Sequence, residues 1–458
     1  LIQFNVPITA GFVLPHGPLT TAGLILEHKF AHDRLQQAAY ESLAVGERAC
    51  RHWELGQLIL RQGGQGEAPT AIATSVFQLA DHLNAGWVGW VTATDGRSGP
   101  EGANVDQAWQ VARINLQAGQ QARAAAAYDA AARYLQRGLA VLPGTAWAID
   151  YDLTLHLHQA VVEALYLTGQ YGEAERLAAL VLAQARSLAD QLPVYQTEIQ
   201  FLAVQNQMAA AIELGLQVLD RLKMPLRQVP PTLPDLDWLD RLPALNDPQA
   251  RAALNICLNL FSPMYITQPD RLESLNWTML DICMRYGNSA QGAFAYASYG
   301  VMLGTSLGQP DVGYALGRLA LQVLARFPDR SLECKVHELF HAFIQHWAEP
   351  IDRALEALRE TIQIGLDTGD LEFAGYAALH YGSNLFLSGQ PLGAVATEQA
   401  AYIDLLTRLE QAFASDYARL WGQVTHHWQG RATDTGVLRG EYGDESDWRS
   451  RWESQNNG

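Results

Sequence analysis

Lysine is almost missing from this 458-residue chain. Lys29, Lys223 and Lys335 are its only three, and with arginine the basic total reaches 31 against 48 acidic residues, a net charge of −17. A surface so short of cations has little to offer a phosphate backbone, and no basic stripe with interleaved aromatics relieves the deficit, so nucleic acid is excluded as a partner. Cysteine is equally sparse. Cys50, Cys257, Cys283 and Cys334 stand far apart with no Cys-x-x-Cys spacing, which indicates neither a disulfide framework nor a thiolate metal site and makes a reducing cytoplasm the expected compartment. No run of about 18 apolar residues is available to cross a membrane. The apolar opening stretch is interrupted by Pro7, Pro15 and Pro18 and lacks the basic start of a signal peptide. Catalytic signatures are missing too: no lysine follows a glycine as a Walker A loop requires, and there is no G-x-S-x-G elbow, kinase catalytic loop or Asp-Phe-Gly. Nothing here can cradle and cleave a nucleotide alone.

What is present is helix-forming. The chain is 48% hydrophobic and 17% charged, with alanine and leucine dominating long stretches and β-branched runs scarce, which predicts an all-α fold. A single core rarely serves so many residues, whereas an array of stacked helix pairs does. Small-residue texts recur along the chain: AGQQARAAAAYDAAARYL from Ala118, TGQYGEAERLAALVLAQA from Thr168, QNQMAAAIELGLQVL from Gln205, LGQPDVGYALGRLALQVL from Leu307 and SGQPLGAVATEQAAY from Ser388. Each reads as a turn, then small residues where two helices approach closely, then a leucine-rich helix, the logic of a tetratricopeptide-type pair. The spacings are irregular, so degenerate repeats are expected, forming an α-α superhelix.

The expected organisation runs as follows. Residues 1–26 are poorly defined, 27–85 form a small helical module, and 86–102, rich in glycine, form a flexible linker. The repeat region covers 103–430, with prolines between about 225 and 248 dividing it into halves, because proline removes a donor and clashes with the preceding turn. Residues 431–458 are a polar tail or linker in which Trp448 and Trp452 are the only large apolar anchors. The chain opens on Leu1 and closes in a polar run ending Asn456-Asn457-Gly458, which predicts a piece of a longer protein.

Among possible chemical sites, His337-Glu338-Leu339-Phe340-His341 matches H-E-x-x-H. On a helix it would put two imidazoles on one face, with Glu338 available as the base of a zinc peptidase. A third ligand is required, and the extension that would supply a histidine fails from Ile344 onwards. Glu356, Glu360 and Glu372 are available carboxylates, but the favoured expectation is two histidines at a helix–helix seam beside Phe340, Phe343 and Trp347, with no metal. His32-Asp33-Arg34 reads as a helix cap or salt-bridged surface. His426 and His427 point about 100° apart on a helix and are expected to be exposed. The tyrosines of the second half, Tyr286, Tyr296, Tyr299, Tyr314, Tyr376, Tyr381 and Tyr402, are expected to fill seams more often than to meet a ligand.

Several stretches carry a family likeness. Phe30 to Tyr40 (FAHDRLQQAAY), Leu55-Gly56-Gln57-Leu58, Phe77 to Asn84, Arg285-Tyr286-Gly287-Asn288, Ala293 to Gly300 (AFAYASYG), Ala342 to Trp347 (AFIQHW) and Gly369 to Ala374 (GDLEFA) resemble the region between ATPase and sensor in large bacterial signalling proteins. These join a serine/threonine kinase, a STAND-type AAA ATPase, a tetratricopeptide-like helical region, a GAF domain and a sensor histidine kinase. The resemblance implies that residues 27–85 end the winged-helix-like part of the ATPase module. The rest would be a non-catalytic segment passing the binding of a protein or peptide partner, or of another domain of its parent, to kinase output. It implies no cofactor in this segment, ATP in the parent, and for His32 a contact with that nucleotide. It also implies that the position of His341 is not a metal ligand. Residues 1–26 and 86–102 lie outside the likeness. The alternatives are a zinc peptidase built on His337, His341 and Glu338, and a free-standing tetratricopeptide-like scaffold.

Overall fold

Helices made of leucine and alanine stripes cannot hide those stripes alone, and here they do so in sequence-adjacent pairs. The computed structural model describes residues 13–16, 27–63, 75–93, 105–431 and 436–454. The fold is the expected all-α repeat class, with two short β-hairpins as the exceptions among the described residues. No helix in these residues is long and apolar enough to cross a membrane. Contacts divide the chain into two units, 1–185 and 186–458.

In the first unit β1 (Val13–His16) pairs antiparallel with β2 (Glu27–Phe30); the remainder of 1–26 lies outside the described residues. Helices follow: α1 (Asp33–Glu41), α2 (Val45–Gly63), α3 (Val76–Ala93), α4 (Val105–Ala124), α5 (Tyr128–Ala140), the single turn α6 (Ala146–Ile149), α7 (Tyr151–Leu167) and α8 (Tyr171–Gln184). Helix α3 packs on both α2 and α4. Asn84 and Asn115 exchange two amide hydrogen bonds of 2.8 Å across the α3–α4 seam, so the small module and the first repeats share packing. The segment read as a flexible linker begins as helix, since α3 continues through Gly86 to Ala93. A Cβ at Gly86 would lie 2.8 Å from the Trp53 backbone nitrogen. This glycine therefore lets two helices touch rather than ending one. Residues 94–104 lie outside the described residues.

The second unit continues with α9 (Leu188–Val204), α10 (Met208–Arg221), the short α11 (Leu236–Asp240), α12 (Pro248–Thr267), α13 (Leu272–Tyr286), α14 (Ala290–Thr305), α15 (Pro310–Arg326), α16 (Arg330–Phe343), α17 (Ile351–Thr368), α18 (Leu371–Leu387), α19 (Leu392–Arg408) and α20 (Ala412–Trp428). Neighbours pair as α9–α10, α12–α13, α14–α15, α16–α17 and α18–α19. The first helix of each pair also touches the first helix of the next, from α12 through α14, α16 and α18 to α20.

Four of the turns within pairs share one device. Gly169, Asn206, Gly308 and Gly389 take left-handed φ of 74°, 59°, 65° and 77°, each followed by a glutamine at the start of the next helix. The amides of Gln170 and Gln207 then bond the carbonyls of Leu165 and Leu202 at 2.9 and 2.8 Å, closing Schellman caps over otherwise orphaned acceptors. The text at Ala118 departs from this pattern: it lies inside α4, and the turn falls at Ala126, φ 56°. Between α14 and α15 glycines face each other, and a Cβ on Gly313 would sit 2.5 Å from the Gly300 carbonyl oxygen.

The proline cluster interrupts helices but does not split the array. Leu239 and Leu245 are buried within a core that runs continuously from Leu192 to Phe373. The Arg227 amide donates to Thr278 Oγ1 (2.8 Å), and its guanidinium pairs with Asp281 (2.6 Å). Asn288 closes the strap: its amide donates to Pro243 O and its carbonyl accepts from Leu245 N, both at 2.7 Å, while its side chain bonds Leu239 O and the Tyr296 hydroxyl. Gly287, φ 110°, leaves no room for a side chain against Pro243. The tail is also folded. Strands β3 (Arg439–Gly440) and β4 (Gly443–Asp444) lead into α21 (Glu445–Ser454), Trp448 is buried, and Trp452 stacks on Tyr417 at 4.7 Å. Two indoles and Gln423, which bonds the backbone at Arg439 and Tyr442, suffice to fix a mostly polar text.

Candidate functional site

Because the first helices of successive pairs touch in series, they line one continuous face, and in the second unit it holds a cavity of about 550 Å³. Its walls come from α12, α14, α16, α18 and α20, with part of α13. Aromatic rings run along it: Phe261 packs edge to face on the buried Phe294 behind the wall at 5.0 Å, Phe373 on Tyr376 at 5.4 Å and Tyr376 on Phe413 at 5.9 Å, and Phe413 lies tilted beside Tyr417 at 4.9 Å. Such offsets follow from the ring quadrupole. Burial raises the pKa of the Tyr376 hydroxyl, with Glu372 adding to it; burial, then Tyr417 and Glu338, do the same for Tyr265.

Glu338 lies at this wall, 1% exposed. Its Oε1 is 2.8 Å from Nδ1 of His380 on α18. That is ion-pair distance without hydrogen-bond alignment, and neither atom has another hydrogen-bond partner. Phe343 packs edge-on against the His380 ring at 4.6 Å. A second polar pair is fully satisfied, the Ser298 hydroxyl donating to Asn276 Oδ1 at 2.6 Å. The Ser383 hydroxyl donates to the His380 backbone carbonyl at 3.0 Å, not to the imidazole, whose Nδ1 has no hydroxyl or thiol partner.

The histidines of the H-E-x-x-H text face away from the cavity, as one residue of helical rotation requires. The Gln345 amide nitrogen donates to Glu349 Oε2 (3.0 Å), so its oxygen is left to accept from His341 Nδ1 (2.6 Å). That assigns the Nδ1 proton to His341 and leaves its Nε2 to accept from His337 Nδ1 at 3.2 Å. The Tyr314 hydroxyl ends the chain on Glu349 at 2.6 Å. Burial lowers the pKa of both imidazoles, that of His341 to about 4, with the Gln345 hydrogen bond opposing. The structure thus brings His337 and His341 together as mutual hydrogen-bond partners, turns Glu338 towards His380, and gathers no group of three or more His, Cys, Asp or Glu able to hold a metal among the described residues.

His32 caps α1, its Nδ1 accepting from the Arg34 amide at 3.1 Å. The expected exposure of the histidine pair fails for His426, which is buried against Tyr442 at a ring distance of 4.8 Å. Tyr296, Tyr299 and Tyr381 fill seams as expected, whereas Tyr376 lines the cavity. Sequence reasoning missed Tyr265, Phe413, Tyr417 and the Glu338–His380 pair. The available signal was that these residues sit on first helices, visible only once the irregular repeats are in register.

No family model matches the chain. A curated relative, the hybrid signal transduction histidine kinase G of Dictyostelium discoideum, is 18% identical over 424 residues, which cover 80% of this chain but only 12% of that protein. Among solved structures, a signal transduction ATPase with numerous domains and a tetratricopeptide repeat sensor, from Pyrococcus horikoshii, aligns with 95% of this chain and 55% of its own at 11% identity and a TM-score of 0.40. A circular tandem repeat protein of novel repeat topology covers 93% and 91% at 15% identity and a TM-score of 0.17. At such scores the helix pairing, not the superposition, carries the fold assignment.

Proposed function

We propose that this chain is a non-catalytic interaction and relay segment of a larger signalling protein of the kinase–ATPase–histidine kinase kind, and that the aromatic groove is its working face. One observation carries the proposal: a single cavity draws its walls from five successive first helices, so an occupant touches elements spread from Phe261 to Tyr417. A ligand that makes different contacts in two packings of those helices shifts their populations, which is all a relay requires. The kinase likeness of the curated relative supports the context. ATP belongs to the attached domains on this proposal, with His32 the residue that would meet it, and the occupant of the groove is a ligand, a peptide or a neighbouring domain.

The test is to fill the groove without disturbing the core. Ser306 lines the cavity and is itself exposed. In the full-length protein, Ser306→Trp should abolish the response of phosphoryl-transfer output to stimulus while its basal level stays intact. An unchanged response removes the groove from the relay.

A further inference from the structure

We propose that the groove takes a small organic cation, an ammonium group carried on an aryl or alkyl body. The inference rests on the groove being the working face and names the chemistry of what enters it.

The first argument is charge. Glu338 brings a carboxylate that is 1% exposed to the cavity wall, and its Oε1 meets only His380 Nδ1, at 2.8 Å and without a hydrogen bond. Removing a carboxylate from water without a counter-charge is costly. The lysine one turn away does not supply it: Lys335 is held by Asp370 at 2.8 Å. No lysine or arginine lines the cavity, and its other charged residue is Glu273. A protein of net charge −17 further concentrates cations at its surface.

The second argument is the wall. Tyr265, Phe343, Tyr376, Phe413 and Tyr417 present rings to the same cavity, and the negative faces of such rings attract ammonium groups. One wall residue already does so from outside the cavity, since Lys335 Nζ sits 3.9 Å from the Phe373 ring centroid. The third is size: about 550 Å³ lies within the range of small-molecule sites, which are mostly apolar with a few convergent polar groups. An aryl or alkyl body fills the apolar length, and the ammonium reaches Glu338.

Calorimetric titration of the chain at neutral pH with benzyltrimethylammonium, 2-phenylethanol, phenylacetate and the tripeptide acetyl-Ala-Lys-Ala-amide tests this. The ammonium should bind about tenfold or more tighter than the alcohol, roughly the difference a desolvated cation–π contact with a carboxylate supports, and phenylacetate should not bind. Glu338→Gln should erase the preference for ammonium over alcohol while leaving alcohol binding unchanged. Should that variant fail to fold, Tyr417→Leu in the wall must weaken ammonium binding selectively. Equal binding of ammonium and alcohol overturns the cation and leaves the groove as a binding face. Tighter binding of the tripeptide overturns the free small molecule in favour of a partner's lysine. A Glu338→Gln protein that melts lower yet keeps the preference makes the pair purely structural and overturns the proposal. If no probe binds the proposal is overturned, and if Ser306→Trp is silent as well the groove itself is not the working face.

Discussion

Helix α16 carries two glutamate–histidine neighbourhoods a fraction of a turn apart, and they have opposite fates. On one face His337, His341, Gln345, Glu349 and Tyr314 form a closed chain in which each buried donor meets an acceptor. On the other, Glu338 meets His380 at ion-pair distance only, beside an open aromatic cavity. The same residue types make a rigid seam where a chain of hydrogen bonds runs through them and a receptive site where a buried carboxylate oxygen has none. Tightness of packing separates them as well: the closed face is pressed by Gly317, whose added Cβ would lie 2.7 Å from the Phe340 ring, whereas the open face has room for a ligand.

Breaking the closed face from behind should have the largest effect. Gly317→Leu forces a side chain into Phe340 and Ile344, and overpacking of this kind should destabilise the second unit by about 3 kcal/mol, read as a lowered midpoint in urea. Acid sharpens the contrast next. The folded pKa of His341 lies below its unfolded value of 6.5, at about 4, so the unfolded state binds the proton first. Its contribution to stability is intact above pH 6.5 and is lost as pH falls towards about 4, amounting to as much as about 3 kcal/mol. Urea midpoints across that range should drop, and His341→Gln should flatten the drop; zinc content by elemental analysis should stay substoichiometric in both proteins. Cutting the chain in the middle comes third: Gln345→Leu leaves His341 Nδ1 and Glu349 each short of a partner, for about 1–2 kcal/mol. Smallest is the groove filler Ser306→Trp, whose stability change should stay within about 0.5 kcal/mol even as it silences the relay. A stability loss as large as that of Gly317→Leu would mean that the groove is core.

Much of the architecture was legible. Gly-Gln and Asn-Gln dipeptides marked the turns because a left-handed residue followed by a helix start leaves few alternatives. The text at Ala118 misled because Gly119 is small for packing against Leu135 rather than for turning. Trp448 and Trp452 were identified as anchors of the tail, but nothing local shows that Gln423, one helix earlier, supplies the backbone partners that fold it. The proline strap was hidden for the same reason, its decisive bonds coming from Asn288, 40 residues beyond the cluster's last proline, Pro248.

Composition and periodicity alone determined that the chain is helical, paired and acidic, because helix propensity, apolar spacing and net charge are properties of neighbouring residues. Only tertiary structure decided that the Tyr314 hydroxyl closes the His341–Gln345–Glu349 chain, that Glu338 reaches across to His380, and that rings from α12, α18 and α20 share one cavity. Those outcomes depend on which residues of separate helices come within a few ångströms, and irregular repeat lengths conceal that register until the helices are packed.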